Sequence, residues 1–171
     1  GLGDVYKRQH LDLSPLSVMR REDNDPYFCT PKGASIFGWA GVDGIHFCFV
    51  RGFGETVFAV SPMNAAPDCV HPLARDFADF LRLLLACGDA AVLEQSWQWD
   101  EAQFSAFLNE NPPTDEQKAA LSELSRRMWL TPMPEPWRYL RAPFGVQKYG
   151  AASARSSKPS GERSTPARRN F

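Results

Sequence analysis

The stretch Asp76-Phe-Ala-Asp-Phe-Leu-Arg-Leu-Leu-Leu-Ala-Cys-Gly88 decides how this chain folds. Its large apolar residues recur at spacings of three and four, which predicts a helix with one apolar face. Asp76 can accept the free backbone N–H groups of the first turn, and Gly88 suits the left-handed conformation that ends many helices. Because this helix is too apolar to stand alone, the sequence predicts that a flat, apolar element covers it.

A small sheet is predicted before this helix. Residues 36–40 form a first strand candidate, residues 45–50 alternate in strand fashion, and residues 56–61 form a return strand. Residues 51–55 contain two glycines and have the length of a hairpin loop. We predict that one face of the hairpin packs on the helix and the other is partly exposed. Residues 63–72, which contain two prolines, are predicted to be an irregular connection.

Three further helices are predicted after Gly88. One spans residues 90–97, the next begins after Asp100, and the last opens at Thr114 with a capping-box pattern and is closed by Pro132. Three alternate prolines then predict an extended segment at residues 132–136, after which aromatic residues pack back on the body. The predicted fold class is α+β, a small antiparallel sheet packed on one side by helices, with extra C-terminal helices.

The chain divides into four predicted segments. Residues 4–9, Asp-Val-Tyr-Lys-Arg-Gln, resemble translated sequencing-adapter sequence, so residues 1–9 are treated as a probable artefact and the natural N-terminus is expected to differ. Residues 10–32 are predicted to be an irregular N-terminal segment, in which residues 20–25 form a solvated loop. Residues 33–145 are predicted to form a single α+β domain, and residues 146–171 a disordered basic tail.

The charge is unevenly distributed. Residues 1–146 carry thirteen basic and nineteen acidic side chains, a net charge of −6, whereas residues 147–171 carry a net charge of +5. An acidic body argues against nucleic acid as the main partner of the folded domain. The sequence contains no apolar run of the roughly 18 residues that a membrane span needs, and no signal-peptide pattern. We therefore expect a cytoplasmic protein that has no membrane partner.

Histidine and cysteine residues suggest one metal site. His46 and Cys48 lie two positions apart on a predicted strand, so their side chains point to the same face. Cys69 and His71 repeat the spacing, and two nitrogens with two sulfurs suit tetrahedral zinc. The spacing is not typical of structural zinc sites, however. The alternative is that Cys48 is a core thiol, His46 a hydrogen-bonded structural histidine, and Cys69 and His71 an ordinary pair of loop residues. We predict no cofactor and no bound metal.

A cysteine nucleophile is the second enzymatic hypothesis. Any of the four cysteines could serve, with His46 or His71 as base and Asp43 to orient the histidine, but no local signature supports this trio. Free buried thiols are the simpler prediction for Cys29, Cys48, Cys69 and Cys87. The helical carboxylates Glu94, Asp100 and Glu101 are predicted to form a solvated face.

Three stretches together resemble a known superfamily. They are Gly41-Val-Asp-Gly-Ile-His-Phe-Cys-Phe49, Val57-Phe-Ala-Val-Ser-Pro62 and Ala74-Arg-Asp-Phe-Ala-Asp-Phe-Leu-Arg-Leu-Leu-Leu85. The order of hairpin, Ser-Pro, link and Phe-x-x-Phe-Leu helix is similar to the SUKH superfamily, which includes the Smi/Knr cell-wall regulator domains. The similarity covers residues 33–99. The Leu-Pro helix usual before the sheet in this superfamily is absent from residues 10–32, and the helices of residues 100–128 extend beyond its usual core.

The resemblance implies a non-enzymatic protein-binding module. Bacterial members are often immunity proteins that neutralise a cognate toxin, commonly a nuclease or a deaminase, and an acidic body suits a basic toxin surface. The superfamily has no fixed site motif, so contact residues are predicted from their place beside the turns of the sheet: Trp39, Asp43, Arg51 and Phe53. The alternative is a small hydrolase or zinc-dependent enzyme using His46, Cys48, Cys69 or His71. A structural accessory domain is a third hypothesis.

Overall fold

A computed structural model describes residues 11–142 of the chain. Four antiparallel strands form one sheet in the order β1 (Ala34–Ala40), β2 (Ile45–Val50), β3 (Val57–Val60) and β4 (Val70–Ala74). Five helices follow: α1 (Phe77–Cys87), α2 (Ala90–Gln95), α3 (Glu101–Glu110), α4 (Asp115–Met128) and α5 (Pro136–Arg141). The predicted α+β class, with helices packed on a small antiparallel sheet and extra C-terminal helices, is confirmed.

Strand β4 lies where the sequence predicted an irregular connection. Pro72 stands opposite Phe58 of β3, and a proline cannot donate a hydrogen bond to a neighbouring strand. The sheet tolerates Pro72 because β4 is an edge strand, paired on one side only. The first three strands fall close to the predicted ranges, and residues 51–55 form the predicted hairpin turn between β2 and β3.

Helix α1 has the predicted caps. Asp76 Oδ1 accepts a hydrogen bond from the backbone N–H of Asp79 at 2.8 Å, and Gly88 adopts a left-handed conformation with φ of 81°. The spacing predicts one apolar face made of Phe77, Phe80, Leu81, Leu84 and Leu85, and all of these are buried except Leu85, which is half-buried. Leu83, outside that face, is fully buried because α4 and α5 also contact α1. The helix is thus covered on two sides, and the sheet is one of them.

The segment before β1 contributes to the same core. Its four aliphatic residues Leu11, Leu13, Leu16 and Val18 are buried in the cluster formed by the sheet and the helices. Val18 approaches the backbone of β1 so closely that a Cβ at Gly38 would lie 2.5 Å from its Cγ1. Backbone hydrogen bonds of 2.7 and 2.8 Å join Met19 to Trp39 beside the strand. Residues 11–19 therefore pack as part of the folded unit.

The sheet face opposite the helices is covered rather than partly exposed. A second, smaller cluster of buried residues occupies it: Cys48, Val50, Phe58, Val60, Cys69 and Val70. Cys29 from the N-terminal segment and Phe53 from the β2–β3 turn pack against this cluster. The prediction of a partly exposed face was wrong because the irregular segment before β1 folds over it.

The C-terminal helices are tied to α1. Tyr139 Oη donates a hydrogen bond of 2.7 Å to Asp79, and the backbone N–H of Met133 donates to the carbonyl of Arg82 at 3.0 Å. Pro136 begins helix α5, because its fixed φ suits the first position of a helix. Across residues 11–142, none of the helices has the length and apolar character that a membrane crossing requires.

Candidate interaction surface

One end of the sheet exposes large apolar side chains. The antiparallel topology places the β1–β2 turn and the β3–β4 connection at the same end. Val42 in the turn is 93% exposed, and Met63 in the connection is 76% exposed. Single exposed apolar residues are ordinary on protein surfaces, but several at one place indicate a contact site.

The N-terminal segment brings two aromatic residues to this end. Tyr27 packs so closely on the β1–β2 turn that a Cβ at Gly44 would lie 2.6 Å from the Tyr27 ring. Phe28 follows Tyr27 and is 86% exposed. We call Tyr27, Phe28, Val42 and Met63 together the sheet-end patch. Of the large exposed hydrophobic residues in the described part of the chain, only Trp129 lies elsewhere, after α4.

A packed layer of rings supports the patch from below. The rings of Tyr27 and His46 are 5.9 Å apart, and those of Trp39 and His46 are 4.7 Å apart. Trp39 Nε1 donates to Asn24 at 2.9 Å, and the Arg21 guanidinium lies 4.2 Å above the Trp39 ring. The segment that carries Phe28 is therefore held in place on the sheet.

His46 is a structural residue in this layer. Its Nδ1 lies 2.8 Å from the carbonyl oxygen of Gly44, which can only accept, so Nδ1 carries the proton. Its Nε2 then accepts a hydrogen bond of 3.0 Å from the Thr30 hydroxyl. Burial lowers the pKa of His46, which keeps the ring neutral at pH 7. Both nitrogens are satisfied, and neither is free to act on a substrate.

Exposed acidic side chains lie close in sequence to the sheet-end patch. Glu22, Asp23 and Asp25 precede the aromatic pair and are exposed, and Asp43 lies beside Val42 in the β1–β2 turn. Between residues 11 and 142 the chain has eleven Lys or Arg and eighteen Asp or Glu, a net charge of −7. The patch thus belongs to a region of net negative charge.

The four contact residues predicted from the sequence do not share one surface. Asp43 is exposed beside the patch, but Trp39 is 1% exposed and lies in the supporting ring layer. Arg51 is exposed and Phe53 half-buried in the β2–β3 turn, at the opposite end of β2. Six residues of strand separate the two ends by roughly 20 Å. The sequence reasoning missed Phe28, Val42 and Met63, although each is a large apolar residue in a non-periodic, polar stretch.

The predicted zinc ligands lie on both faces of the sheet. His46 belongs to the ring layer beneath the patch, whereas His71 pairs with Ala59 and stacks on Trp97 on the helical side, with 4.7 Å between ring centres. Cys48 is fully buried in the smaller cluster. Within residues 11–142, no group of three or more His, Cys, Asp or Glu is arranged to hold a metal ion. The four residues do not converge.

Cys48 and Cys87 are ill suited to nucleophilic catalysis. Burial raises the pKa of Cys48 and that of Cys87 to about 12, so both are protonated at pH 7. Burial also raises the pKa of Cys29, which is half-buried. No hydrogen bond joins a cysteine to a histidine among the described residues. All four thiols are free, and three are buried as predicted, whereas Cys29 is only half-buried.

Glu94 is buried, which corrects the prediction of a solvated carboxylate face. It is 6% exposed, and its Oε1 accepts a hydrogen bond of 2.5 Å from the Ser61 hydroxyl. Burial raises the pKa of Glu94, although the bond from Ser61 opposes this effect. Asp100 caps α3 through a bond from Gln103 N, and Glu101 is exposed, so these two residues follow the prediction.

The cavity beside His71 and Trp97 does not offer a second site. One of about 170 Å³ is lined by residues that include His71, Trp97 and Arg141, and this volume is below the range of ordinary ligand pockets. The Arg141 guanidinium is already engaged, because it donates to the backbone carbonyls of Ser96, Trp97 and Trp99. The exposed sheet-end patch is therefore a better candidate than this cavity.

Comparison with family models, with curated proteins and with solved structures finds no match to this chain.

Proposed function

We propose that this chain is a protein-binding module whose contact surface is the sheet-end patch. The observation that carries the proposal is the gathering of Tyr27, Phe28, Val42 and Met63 from three separate loops at one end of the sheet. Aromatic residues and methionine are enriched in the centres of protein interfaces. The ring layer beneath holds the patch in place, so less conformational entropy is lost when a partner binds.

The partner is a protein with a basic surface around an apolar depression. The exposed acidic side chains beside the patch and the net charge of −7 between residues 11 and 142 favour such a surface. Complementary charge accelerates association and selects among partners, while buried aromatic contacts supply most of the affinity. Binding is therefore expected to slow as salt increases and to weaken when Phe28 is shortened.

The resemblance to SUKH domains gives the proposal a more specific form. In that form the chain is an immunity protein, and the basic partner is a toxin that it neutralises. The acidic surface supports this reading because nuclease toxins need positive charge to hold nucleic acid. Co-expression of the chain with a toxin encoded beside its gene tests it, since an immunity protein restores growth and an F28S variant restores it less.

Site-specific crosslinking tests the proposed surface. A photo-reactive phenylalanine placed at position 28 reports what contacts the patch in the host cell, and the same residue at position 129 is a matched control. Trp129 is 92% exposed, like Phe28, but lies outside the patch. We expect one dominant protein adduct from position 28, absent from position 129, that binds the purified chain. Equal adducts from both positions, or none from position 28, would contradict the proposal.

A further inference from the structure

Two cysteines lie in the loops that carry the sheet-end patch. Cys29 follows Phe28 and packs against the small cluster that contains Cys69, on the sheet face opposite the helices. Thr30, which follows Cys29, is bonded to His46. Val60 stands opposite His46 and pairs with Val70, which follows Cys69, so both cysteines lie at the same end of the sheet. Both cysteines are free in the structure. Cys48 belongs to the same small cluster but is fully buried within β2, and Cys87 is buried in the larger cluster.

Both cysteines are held by their own backbone surroundings. The backbone N–H of Tyr27 donates to the Thr30 hydroxyl at 2.8 Å, and the backbone N–H of Thr30 donates to the carbonyl of Tyr27 at 3.0 Å. The Thr30 hydroxyl is also bonded to His46. The carbonyl of Cys69 accepts from the backbone N–H of Ser61 at 2.7 Å. These bonds fix the backbone on either side of Cys29 and at Cys69.

The two thiols differ in access to solvent. Cys29 is half-buried, whereas Cys69 is buried. A small oxidant therefore reaches Cys29 first, and Cys69 is positioned to attack the sulfur of Cys29 afterwards. This is the arrangement of an attacking and a resolving cysteine.

We propose that Cys29 and Cys69 are a redox pair that a small-molecule disulfide closes into an intramolecular bond. The Cys29 thiolate attacks one sulfur of the small disulfide, forming a mixed disulfide and releasing one thiol. The Cys69 thiolate then attacks the Cys29 sulfur and releases the second thiol. The two cysteines lose two protons and two electrons, and the small disulfide is reduced to two thiols.

The bond would join two of the loops that build the sheet-end patch. Cys29 is next to Phe28, and Cys69 ends the connection that carries Met63. Closing the bond restricts both loops at once. A role for this bond in controlling partner binding rests on the proposed function, whereas formation of the bond does not.

Oxidised glutathione and intact-mass spectrometry test the pair on the native full-length chain. The wild type is expected to lose about 2 Da and to yield a linked Cys29–Cys69 peptide, and dithiothreitol should reverse this. C69S is expected to stop at a mixed disulfide at Cys29, about 305 Da heavier, because the resolving thiol is gone. C29S is expected to react far more slowly, and C48A should behave as the wild type.

The outcomes separate this inference from the proposed function. A stable glutathione adduct at Cys29 in the wild type, a link to Cys48, or four unreacted thiols would overturn it, whatever the chain binds. A linked Cys29–Cys69 peptide supports it even if no partner is found. A thermal scan compares the melting temperatures of the oxidised and reduced chains. A lower melting temperature for the oxidised chain would also contradict the proposal, because a bond between thiols that are already close together should not strain the fold.

Discussion

Removing the Ser61 hydroxyl should destabilise the protein through Glu94. Ser61 Oγ lies 2.5 Å from Glu94 Oε1, and both residues are buried. Within residues 11–142, Ser61 is the only hydrogen-bond donor to this carboxyl group. S61A leaves a buried carboxyl oxygen without its partner, which is expected to cost about 1–3 kcal/mol of unfolding free energy. Urea unfolding followed by tryptophan fluorescence measures this loss.

The same contact makes stability depend on pH in a definite direction. Burial raises the pKa of Glu94 above its ordinary value of 4.5, so between these values the folded chain holds a proton that the unfolded chain has lost. The stabilising contribution is therefore fully present below pH 4.5 and is lost as the pH rises through the folded-state pKa. E94Q cannot titrate and keeps an oxygen that accepts from Ser61. The unfolding free energy of E94Q, measured relative to that of the wild type, should therefore increase from pH 4 to pH 8.

A matched variant separates the effect of the Glu94 carboxyl group from the general effect of removing a buried serine hydroxyl. Ser96 is also buried, but its hydroxyl donates to the backbone carbonyl of Leu93 at 2.8 Å. S96A should lose a similar free energy without changing the pH dependence. If the difference in unfolding free energy between E94Q and the wild type stays constant from pH 4 to pH 8, the assignment of Glu94 as a buried, proton-binding group is refuted.

Three further predictions follow from single contacts. Y139F removes the hydroxyl that donates to Asp79, and urea unfolding should show a loss of about 1–3 kcal/mol; an unchanged midpoint would contradict this role. G88A places a side chain at φ of 81° and should cost about 1–2 kcal/mol in the same assay, whereas a neutral effect would contradict a strained cap. Alkylation of Cys29 by iodoacetamide should accelerate about tenfold per pH unit up to pH 9, because burial raises its pKa. A plateau at pH 8 would contradict that direction.

The helices were predictable because their signals are local. The stripe of α1 and its caps at Asp76 and Gly88 lie within thirteen residues, and the capping box at Thr114 needs only Gln117. Each signal acts on neighbouring backbone groups, so the rest of the fold hardly alters it. Strand β2 was predictable for the same reason, since its alternation is complete within six residues.

The features that sequence reasoning missed depend on distant residues. Pro72 fits a strand only because β4 is at the edge of the sheet, which its own sequence does not reveal. Glu94 is buried by Ser61, 33 residues earlier in the chain. The covered second face of the sheet arises because a segment without periodicity folds over it.

The candidate site was only partly predictable for a related reason. The sheet-end patch combines three loops, and Asp43 was the one predicted contact residue beside it that is exposed. Trp39 was predicted to be exposed because it is near a turn, but Tyr27 and Arg21 cover it. Proximity to a turn gives the right end of the sheet and does not decide which side chains reach solvent.

Calorimetric binding of the purified partner tests the central claim most directly. The partner trapped through position 28 would be titrated with the wild type, F28S and W129S. Losing an aromatic anchor should weaken binding at least about tenfold for F28S, while W129S, which removes an equally exposed side chain after α4, should bind as the wild type does. Equal affinities for all three chains, or a loss confined to W129S, would contradict the sheet-end patch as the contact surface.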